Sequence, residues 1–187
     1  MNTKILAFVA ALVLIVLAPC VSLSSQVPPA LDYVKVIKKL QPAMSGSDAH
    51  HLNIALKRVM KSGTCKVSPA LILSIAFHES SLRKSAIGRL RSDTKDYGLM
   101  QINEKTALSL KLDRVRLMKD EAYSLQAGCQ VLTANRQRYS HKVPYWLGMY
   151  RAGVKVQIPA IRKNAIEYDR MIRGTATKIE HSIVLWL

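Results

Sequence analysis

Glu79 is an ionisable residue set among apolar residues at helical spacing. In a helix over residues 69–83 its same-face neighbours are Ile72, Ile75, Ala76 and Leu82, with Arg83 at the helix end. Such a stripe faces the core of a domain, and a carboxyl group placed there loses hydration, which raises its pKa. A carboxyl group with a raised pKa still holds its proton near neutral pH and suits general acid catalysis. The alternative is a glutamate at the edge of the stripe that reaches solvent or pairs with Arg83.

The pair His78-Glu79 begins the pattern His-Glu-x-x-His, in which two histidines one helical turn apart bind zinc. Position 82 is Leu where the second histidine belongs, and no other His or Cys cluster in the sequence has the spacing of metal ligands. A glycine-rich phosphate loop and a Gly-x-Ser-x-Gly pattern are also missing from the sequence. We therefore expect a site without metal and without cofactor, and a structural or exposed role for His78.

Two later stretches combine glycine with polar and aromatic residues. Residues 96–103 read DYGLMQIN, in which the glycine allows a turn whose backbone approaches another group closely. Residues 145–153 read YWLGMYRAG, and aromatic rings beside glycines suit a sugar-binding cleft because apolar sugar faces stack on rings. Each stretch has a structural alternative: a helix-entry turn for the first, and core packing of Trp146 for the second.

Together with Glu79, these stretches resemble the lytic transglycosylase family, whose lysozyme-like catalytic domain is also similar to goose-type lysozyme. The family pattern is a helix ending in Glu-Ser, then a loop, then Gly-Leu-Met-Gln, and later Tyr-Asn-x-Gly. This chain has Glu79-Ser80, then Gly98-Leu99-Met100-Gln101, and then Tyr150-Arg151-Ala152-Gly153. The match keeps the family order over about residues 65–155, and its first two motifs are the specific ones.

The resemblance implies that Glu79 acts as the catalytic acid and base. It also implies that Ser80 supports the site, that Met100 and Gln101 line the sugar subsites, and that Tyr150 lies across the cleft and positions Glu79 or the substrate. One position departs from the family pattern, because the Asn expected after Tyr150 is Arg151 here. This change puts the local hydrogen bonding in doubt and supplies a basic side chain long enough to reach a peptide carboxylate of the substrate.

The reaction implied by the resemblance is cleavage of the β-1,4 bond between N-acetylmuramic acid and N-acetylglucosamine, with formation of 1,6-anhydromuramoyl ends. A hydrolytic goose-type muramidase is the alternative, and it needs a second carboxylate, for which Asp93 and Asp96 are the nearby candidates. Goose-type lysozymes carry Asp after the Gly-Leu-Met-Gln-x stretch, where this chain has Asn103. A third alternative is a basic, non-catalytic envelope component that binds the cell wall.

Helical periodicity runs through the chain from Ser47 onward, and no run of strands is visible. Ser68 as N-cap and Pro69 as first helical residue mark the start of the Glu79 helix, Asp120 caps a long helix, and Gly174 is expected to end the last. The predicted helices cover residues 31–40, 47–62, 68–83, a short stretch after 103, a long one after 120, 143–152 and 159–174, and residues 84–97 are expected to be a polar, basic loop.

We therefore expect an all-α fold, which the resemblance makes a compact lysozyme-like helical domain. The predicted boundaries are a signal peptide or N-terminal anchor at 1–25, a linker at 26–46, the domain at 47–174 and a C-terminal tail at 175–187.

The chain is strongly basic, with a formal net charge of +16, and an apolar run of fifteen residues, 5–19, follows Lys4. This start is typical of a secretory signal peptide, with an uncleaved anchor as the alternative. We expect an exported protein of the periplasm or cell envelope whose partner is peptidoglycan glycan strands and whose user is a secretion, conjugation or phage assembly. Membrane contact is expected only through an uncleaved N-terminal segment. Nucleic acid is not an expected partner, because no interleaved aromatic and basic stripe is visible.

Beyond the predicted signal segment the chain has two cysteines, Cys65 and Cys129. An even pair in an oxidising compartment predicts a disulfide, and two buried free thiols are the alternative. Cys65 precedes the Glu79 helix and Cys129 lies within the long helix, so the bond would join two elements that are expected to pack together.

Overall fold

Helices make up most of the chain that the structure, a computed structural model, describes: residues 32–89, 94–152 and 158–184. In chain order they are α1 (Val34–Leu40), α2 (Gly46–Lys61), α3 (Pro69–Ser80), α4 (Glu104–Ser109), α5 (Arg114–Lys119), α6 (Glu121–Tyr139), α7 (Met149–Ala152) and α8 (Pro159–Val184). A 3₁₀ turn at Trp146–Gly148 precedes α7, and three short strands follow α3: β1 (Ile87–Arg89), β2 (Lys95–Tyr97) and β3 (Ile102–Asn103). The predicted all-α fold class is confirmed.

The predicted signal segment, residues 1–25, lies outside the described residues. Among the helices that are described, none has both the length and the apolar character that crossing a bilayer requires. All the helices and strands named above belong to one compact unit, residues 31–187.

The starts of α3 and α6 follow from the residues that precede them. Ser68 has extended backbone, and its hydroxyl accepts a hydrogen bond from the Leu71 N–H at 3.2 Å, while Pro69 begins the helix. At α6 the Asp120 carboxylate accepts from the Tyr123 N–H at 3.0 Å. These caps satisfy amide groups that have no partner inside the helix, as the sequence predicted at both places.

The packing of α8 along α3 forms the frame that positions the candidate site. Ile72 of α3 and Ile172 of α8 are fully buried at this interface. Two polar contacts also cross it: the Ser74 hydroxyl donates to the Ile172 carbonyl at 2.8 Å, and His78 Nε2 lies 2.9 Å from Thr175 Oγ1. His78 is therefore a structural contact between the two helices.

The last helix extends beyond its predicted end at Gly174 and continues to Val184. A Cβ added at Gly174 would meet no atom within 4 Å, so this glycine lies on an open side of the helix. On the packed side Ala176 and Ile179 are buried. Their burial outweighs the roughly 1 kcal/mol that a glycine costs within a helix, so the expectation that the helix ends at 174 was wrong.

The first helix lies within the segment predicted to be a linker, yet it packs onto the core. Val36 and Ile37 are buried, and the Tyr33 N–H donates to Asn53 Oδ1 of α2 at 3.1 Å. The helical piece itself was predicted, at 31–40. Its apolar side chains are too few to indicate from sequence alone that they would be buried, so the expectation of a linker was wrong for this piece.

A small antiparallel sheet stands where a polar loop was predicted at residues 84–97. Its strand order is β1-β2-β3, with Ile87 opposite Tyr97 and Asp96 opposite Asn103. Each strand has only two or three residues, too few for an alternating pattern to appear in the sequence. The sheet contains Asp96 and Asn103, which are discussed with the candidate site below.

Two other helix predictions need correction. The helix expected over residues 143–152 begins only at the 3₁₀ turn, Trp146–Gly148, and continues as α7. The helix α5, which the sequence reading missed, has six residues and is capped by Asp113, whose carboxylate accepts from the Val115 N–H at 2.8 Å. Elements this short have too few turns to show a periodic stripe.

Cys65 and Cys129 are joined by a disulfide with their Cα atoms 5.1 Å apart. The bond ties the segment before α3 to the middle of α6 and closes a loop with a sequence separation of 64 residues. Both cysteines are buried.

Replacing both cysteines with Ala should lower the free energy of unfolding by about 4 kcal/mol, because the unfolded chain regains the entropy that the closed loop removes. Urea unfolding of the oxidised protein and of the double variant measures the difference. A loss below about 1 kcal/mol would show that the link contributes little.

Candidate active site

Glu79 lies in the last turn of α3, at the edge of the core. Its predicted same-face neighbours are all buried: Ile72, Ile75, Ala76 and Leu82. The chain reverses immediately afterwards, because Ser81 and Leu82 both have left-handed backbone, with φ of 53° and 60°. This reversal returns the Leu82 side chain to the core, and Glu79 itself is only partly buried.

The partner of Glu79 is a tyrosine from the other end of the chain. Tyr168 of α8 donates its hydroxyl hydrogen bond to Glu79 Oε1 at 2.5 Å. The pairing of Glu79 with Arg83, which the sequence left open, is not formed, since Arg83 Nε donates to the Ser80 carbonyl at 3.1 Å. The carboxyl group is therefore held by a neutral donor.

Burial raises the pKa of Glu79 above its ordinary value, and the negative charge of Asp96 acts in the same direction. The Tyr168 hydrogen bond and the positive charge of Arg151 oppose this rise without cancelling it. Because the group keeps its proton to a higher pH than an exposed glutamate, it is suited to act as a general acid.

The turn that contains the Gly-Leu-Met-Gln motif is hydrogen-bonded to side chains of α3 and α7. The Ser80 hydroxyl lies 2.8 Å from the Leu99 carbonyl, and the Tyr150 hydroxyl donates to the Met100 carbonyl at 2.6 Å. Gly98 has a φ of 76°, and a Cβ added there would lie 1.9 Å from the Leu117 carbonyl oxygen. Only glycine fits this position, because both its backbone conformation and its close approach exclude a side chain.

Ser80, Gln101 and Tyr150 thus lie around the same turn as hydrogen-bonding residues. Gln101 Nε2 donates to the carbonyls of Ala86 and Gly98 at 3.1 and 2.8 Å, which joins the turn to the segment before β1. Burial, together with the negative charges near it, raises the pKa of Tyr150 well above its ordinary value, so Tyr150 remains a neutral donor.

Met100 does not lie where the resemblance implied. Its side chain is fully buried and packs against Gly128 of α6, where an added Cβ would be 2.4 Å from the Met100 Cε. The space left by the missing side chain of Gly128 is therefore filled by this methionine. In this conformation the Met100 side chain is buried beneath the surface of the domain and offers no contact to a sugar.

Arg151 lies beside the two central residues of the site. Its guanidinium carbon is 5.9 Å from the centre of the Tyr168 ring, and its charge lowers the pKa of Glu79. Arg151 is exposed. The residue that departs from the family pattern therefore contributes a positive charge at the mouth of the site.

Two residues of the site were missed or only half recognised in the sequence. Tyr168 stands between Ala165 and Ile172 on the buried stripe of α8, and a hydroxyl in such a stripe signals a buried hydrogen-bond partner. Asp96 was considered only as a candidate for the hydrolytic alternative. Burial raises its pKa, and Asn103 Nδ2 donates to its Oδ1 at 2.9 Å. Asp93, the other candidate, lies outside the described residues.

Within the described ranges no group of three His, Cys, Asp or Glu residues is placed to hold a metal ion.

Comparison with known families agrees with this arrangement. A family model described as Transglycosylase SLT domain matches residues 59–170, which include α3, the sheet, the turn and Tyr168. The chain belongs to this family. Membership makes the domain lytic transglycosylase-like.

The individual relatives share a low sequence identity with this chain. The chain is similar to Invasion protein IagB of Salmonella typhimurium and of Salmonella typhi, with 30% identity over 102 residues, 52% of this chain and 62% of theirs. It is also similar to a Peptidoglycan-binding-like protein of Escherichia coli O157:H7, with 29% identity over 126 residues, 61% of this chain and 72% of that protein. The chain thus spans less than two thirds of the length of the Salmonella relatives. No solved structure matches it.

Tyr168→Phe keeps the ring and removes the hydroxyl that bonds Glu79. Because that bond stabilises the ionised carboxylate, its loss should raise the pKa of Glu79 further. The alkaline limb of kcat/KM for peptidoglycan digestion, where the acid loses its proton, should then move to higher pH. We also expect kcat to fall roughly tenfold, the effect of one lost hydrogen bond to a charged group.

The matched control is Tyr139→Phe, in the last turn of α6, where the ring lies 5.6 Å from the Arg138 guanidinium. This variant should keep both the rate and the pH profile. An unshifted alkaline limb in Tyr168→Phe would contradict the role of the hydrogen bond.

Proposed function

We propose that this protein is a peptidoglycan lytic transglycosylase that cuts the β-1,4 bond between N-acetylmuramic acid and N-acetylglucosamine and leaves 1,6-anhydromuramoyl ends. The observation that carries the proposal is the partly buried Glu79, which keeps a raised pKa while Tyr168 holds its carboxyl group. Its family supports the same reaction.

In the first half of the proposed reaction, Glu79 gives its proton to the oxygen that bridges the two sugars. The bond from C1 of the muramoyl sugar to that oxygen breaks, and the N-acetylglucosamine leaves with a hydroxyl group. The carbonyl oxygen of the muramoyl acetamido group bonds to C1 and takes up the positive charge. One carboxyl group is enough for this step, because the substrate supplies the nucleophile that a second carboxylate supplies in ordinary retaining glycosidases.

In the second half, the Glu79 carboxylate removes the proton of the C6 hydroxyl. The C6 oxygen attacks C1, the acetamido group is released, and the anhydro ring closes. Glu79 returns to its protonated form, and neither water nor a cofactor is consumed. The Tyr168 hydroxyl favours the first half, since it stabilises the carboxylate that exists between the two halves.

Two further parts of the proposal concern place and partner. The apolar segment at residues 5–19 is taken as an export signal or anchor, which brings the domain to the periplasm or cell envelope. The wall is then cut locally for an assembly that crosses it, whether for secretion, conjugation or phage entry.

Glu79→Gln should lower the rate of peptidoglycan digestion by roughly 10²- to 10⁴-fold or more, because an amide cannot deliver the proton. The matched control is Glu121→Gln, which removes a carboxylate that pairs with Lys84 at 3.2 Å at the start of α6. Circular dichroism and urea unfolding should show that both variants fold. Near-normal turnover in Glu79→Gln would refute the assignment.

A second function is supported by one observation, the negative charge of Asp96 acting on Glu79. A hydrolytic muramidase uses two carboxyl groups in one site. Mass spectrometry of the digested wall separates the two reactions, because transglycosylation leaves anhydromuramoyl ends and hydrolysis leaves ends that borohydride reduces.

Asp96→Asn makes the same distinction by kinetics. In the proposed reaction Asp96 acts only through its charge, so its neutralisation should lower the pKa of Glu79 and move the alkaline limb of kcat/KM to lower pH, with anhydro ends retained. Loss of activity by more than about 10²-fold at every pH, together with reducible ends in the wild type, would favour the muramidase.

A further inference from the structure

Three large apolar side chains project from the end of α4, the start of α5 and the connection between them. Leu108 is 63% exposed, Leu110 45% and Val115 52%. Eight large apolar side chains are exposed in the described part of the chain, and these three fall within positions 108–115. They are close together in the sequence, and this cluster of exposed apolar residues calls for an explanation that residues scattered singly over a surface do not need.

The backbone of this connection is well bonded, so it holds the cluster outward. The Leu110 N–H donates to the Thr106 carbonyl at 3.0 Å, and the Leu112 N–H donates to the Ala107 carbonyl at 2.8 Å. Ala107 is fully buried and anchors α4 to the core. Lys111, between the two leucines, has left-handed backbone with a φ of 53°. The leucines therefore lie at a fixed turn and face solvent.

The same stretch carries an excess of positive charge. Residues 105–119 contain five basic residues against one acidic residue, Asp113. Arg114 and Arg116 are paired with neighbouring carboxylates. Among the described residues no carboxylate forms an ion pair with the other three cations, which are Lys105, Lys111 and Lys119.

We propose that residues 105–119 form a contact surface for an anionic lipid membrane. Leu108, Leu110 and Val115 would enter the boundary between headgroups and acyl chains, and the unpaired lysines would bind lipid phosphates. This combination of projecting apolar groups and lysines is what peripheral membrane binding requires. A second copy of this chain is a poor occupant, because it would bring the same positive charge to the contact.

The surface is mechanically joined to the candidate site. Asn103 caps α4, where its Oδ1 accepts from the Lys105 N–H at 3.0 Å, and its Nδ2 donates to Asp96. A membrane held at α4 would therefore fix the height of the cleft above the lipid and select glycan strands near the membrane. This contact is separate from the N-terminal apolar segment and does not depend on which reaction Glu79 catalyses.

A tryptophan placed in the surface reports its contact with lipid whatever else anchors the chain. In the full chain, Leu108→Trp should show a blue-shifted emission and quenching by brominated acyl chains when vesicles of phosphatidylglycerol and phosphatidylcholine are added, after subtraction of the wild-type signal. Vesicles of phosphatidylcholine alone should give little quenching. The matched control is Ile54→Trp, at an exposed position of α2, which should remain unquenched.

Replacing Lys105, Lys111 and Lys119 with Gln in the Leu108→Trp chain should weaken the contact with anionic vesicles roughly 100-fold, since each lysine near such a surface is worth about a factor of five. Raising the salt from 0.1 to 1 M should have a similar effect. The proposal is overturned if Leu108→Trp is unquenched, if Ile54→Trp is quenched equally, or if the blue shift appears without vesicles and grows with protein concentration. None of these readouts depends on catalysis, so failure here leaves the proposed function untouched.

Discussion

The hydrogen bond between Tyr168 and Glu79 depends on the packing of α8 along α3, and the candidate site depends on that bond. A glutamate at the end of an apolar stripe would ordinarily turn to water. Here the surrounding core raises its pKa, while a neutral hydroxyl fixes the position of its carboxyl group. An ion pair in the same place would have lowered the pKa much further and would have removed the proton that an acid catalyst needs.

The second constraint is the turn after β2, at residues 98–101, whose backbone carbonyls accept hydrogen bonds from three side chains. Ser80 reaches it from the end of α3, Tyr150 from α7, and Gln101 from within the turn itself. Gly98 and Gly128 provide the space for this, the first against the Leu117 carbonyl and the second against a methionine side chain. The family motif is therefore largely a structural device. Its residues hold this turn against the end of α3, next to Glu79.

Particular residues show which features of the fold and of the candidate site could be predicted from the sequence. Caps such as Ser68 and Asp120 act on neighbours three residues away, so they can be found from local sequence. The apolar stripe likewise predicted the burial of the helical neighbours of Glu79. Tyr168 is separated from Glu79 by 89 positions, and nothing local says that α8 returns to α3. The burial of Met100 and the short strands also depend on tertiary contacts, which override local preference.

The balance of charges around Glu79 explains how the departure at Arg151 can be tolerated. Arg151, on α7, stabilises the carboxylate, and Asp96, on β2, destabilises it. Because these charges oppose each other, burial remains the largest influence, and the pKa of Glu79 stays raised despite a cation beside it. A basic residue at this position is compatible with acid catalysis only when an anion or a desolvated environment offsets it, and this site has both. Arg151 is exposed, so its positive charge remains available beside the site.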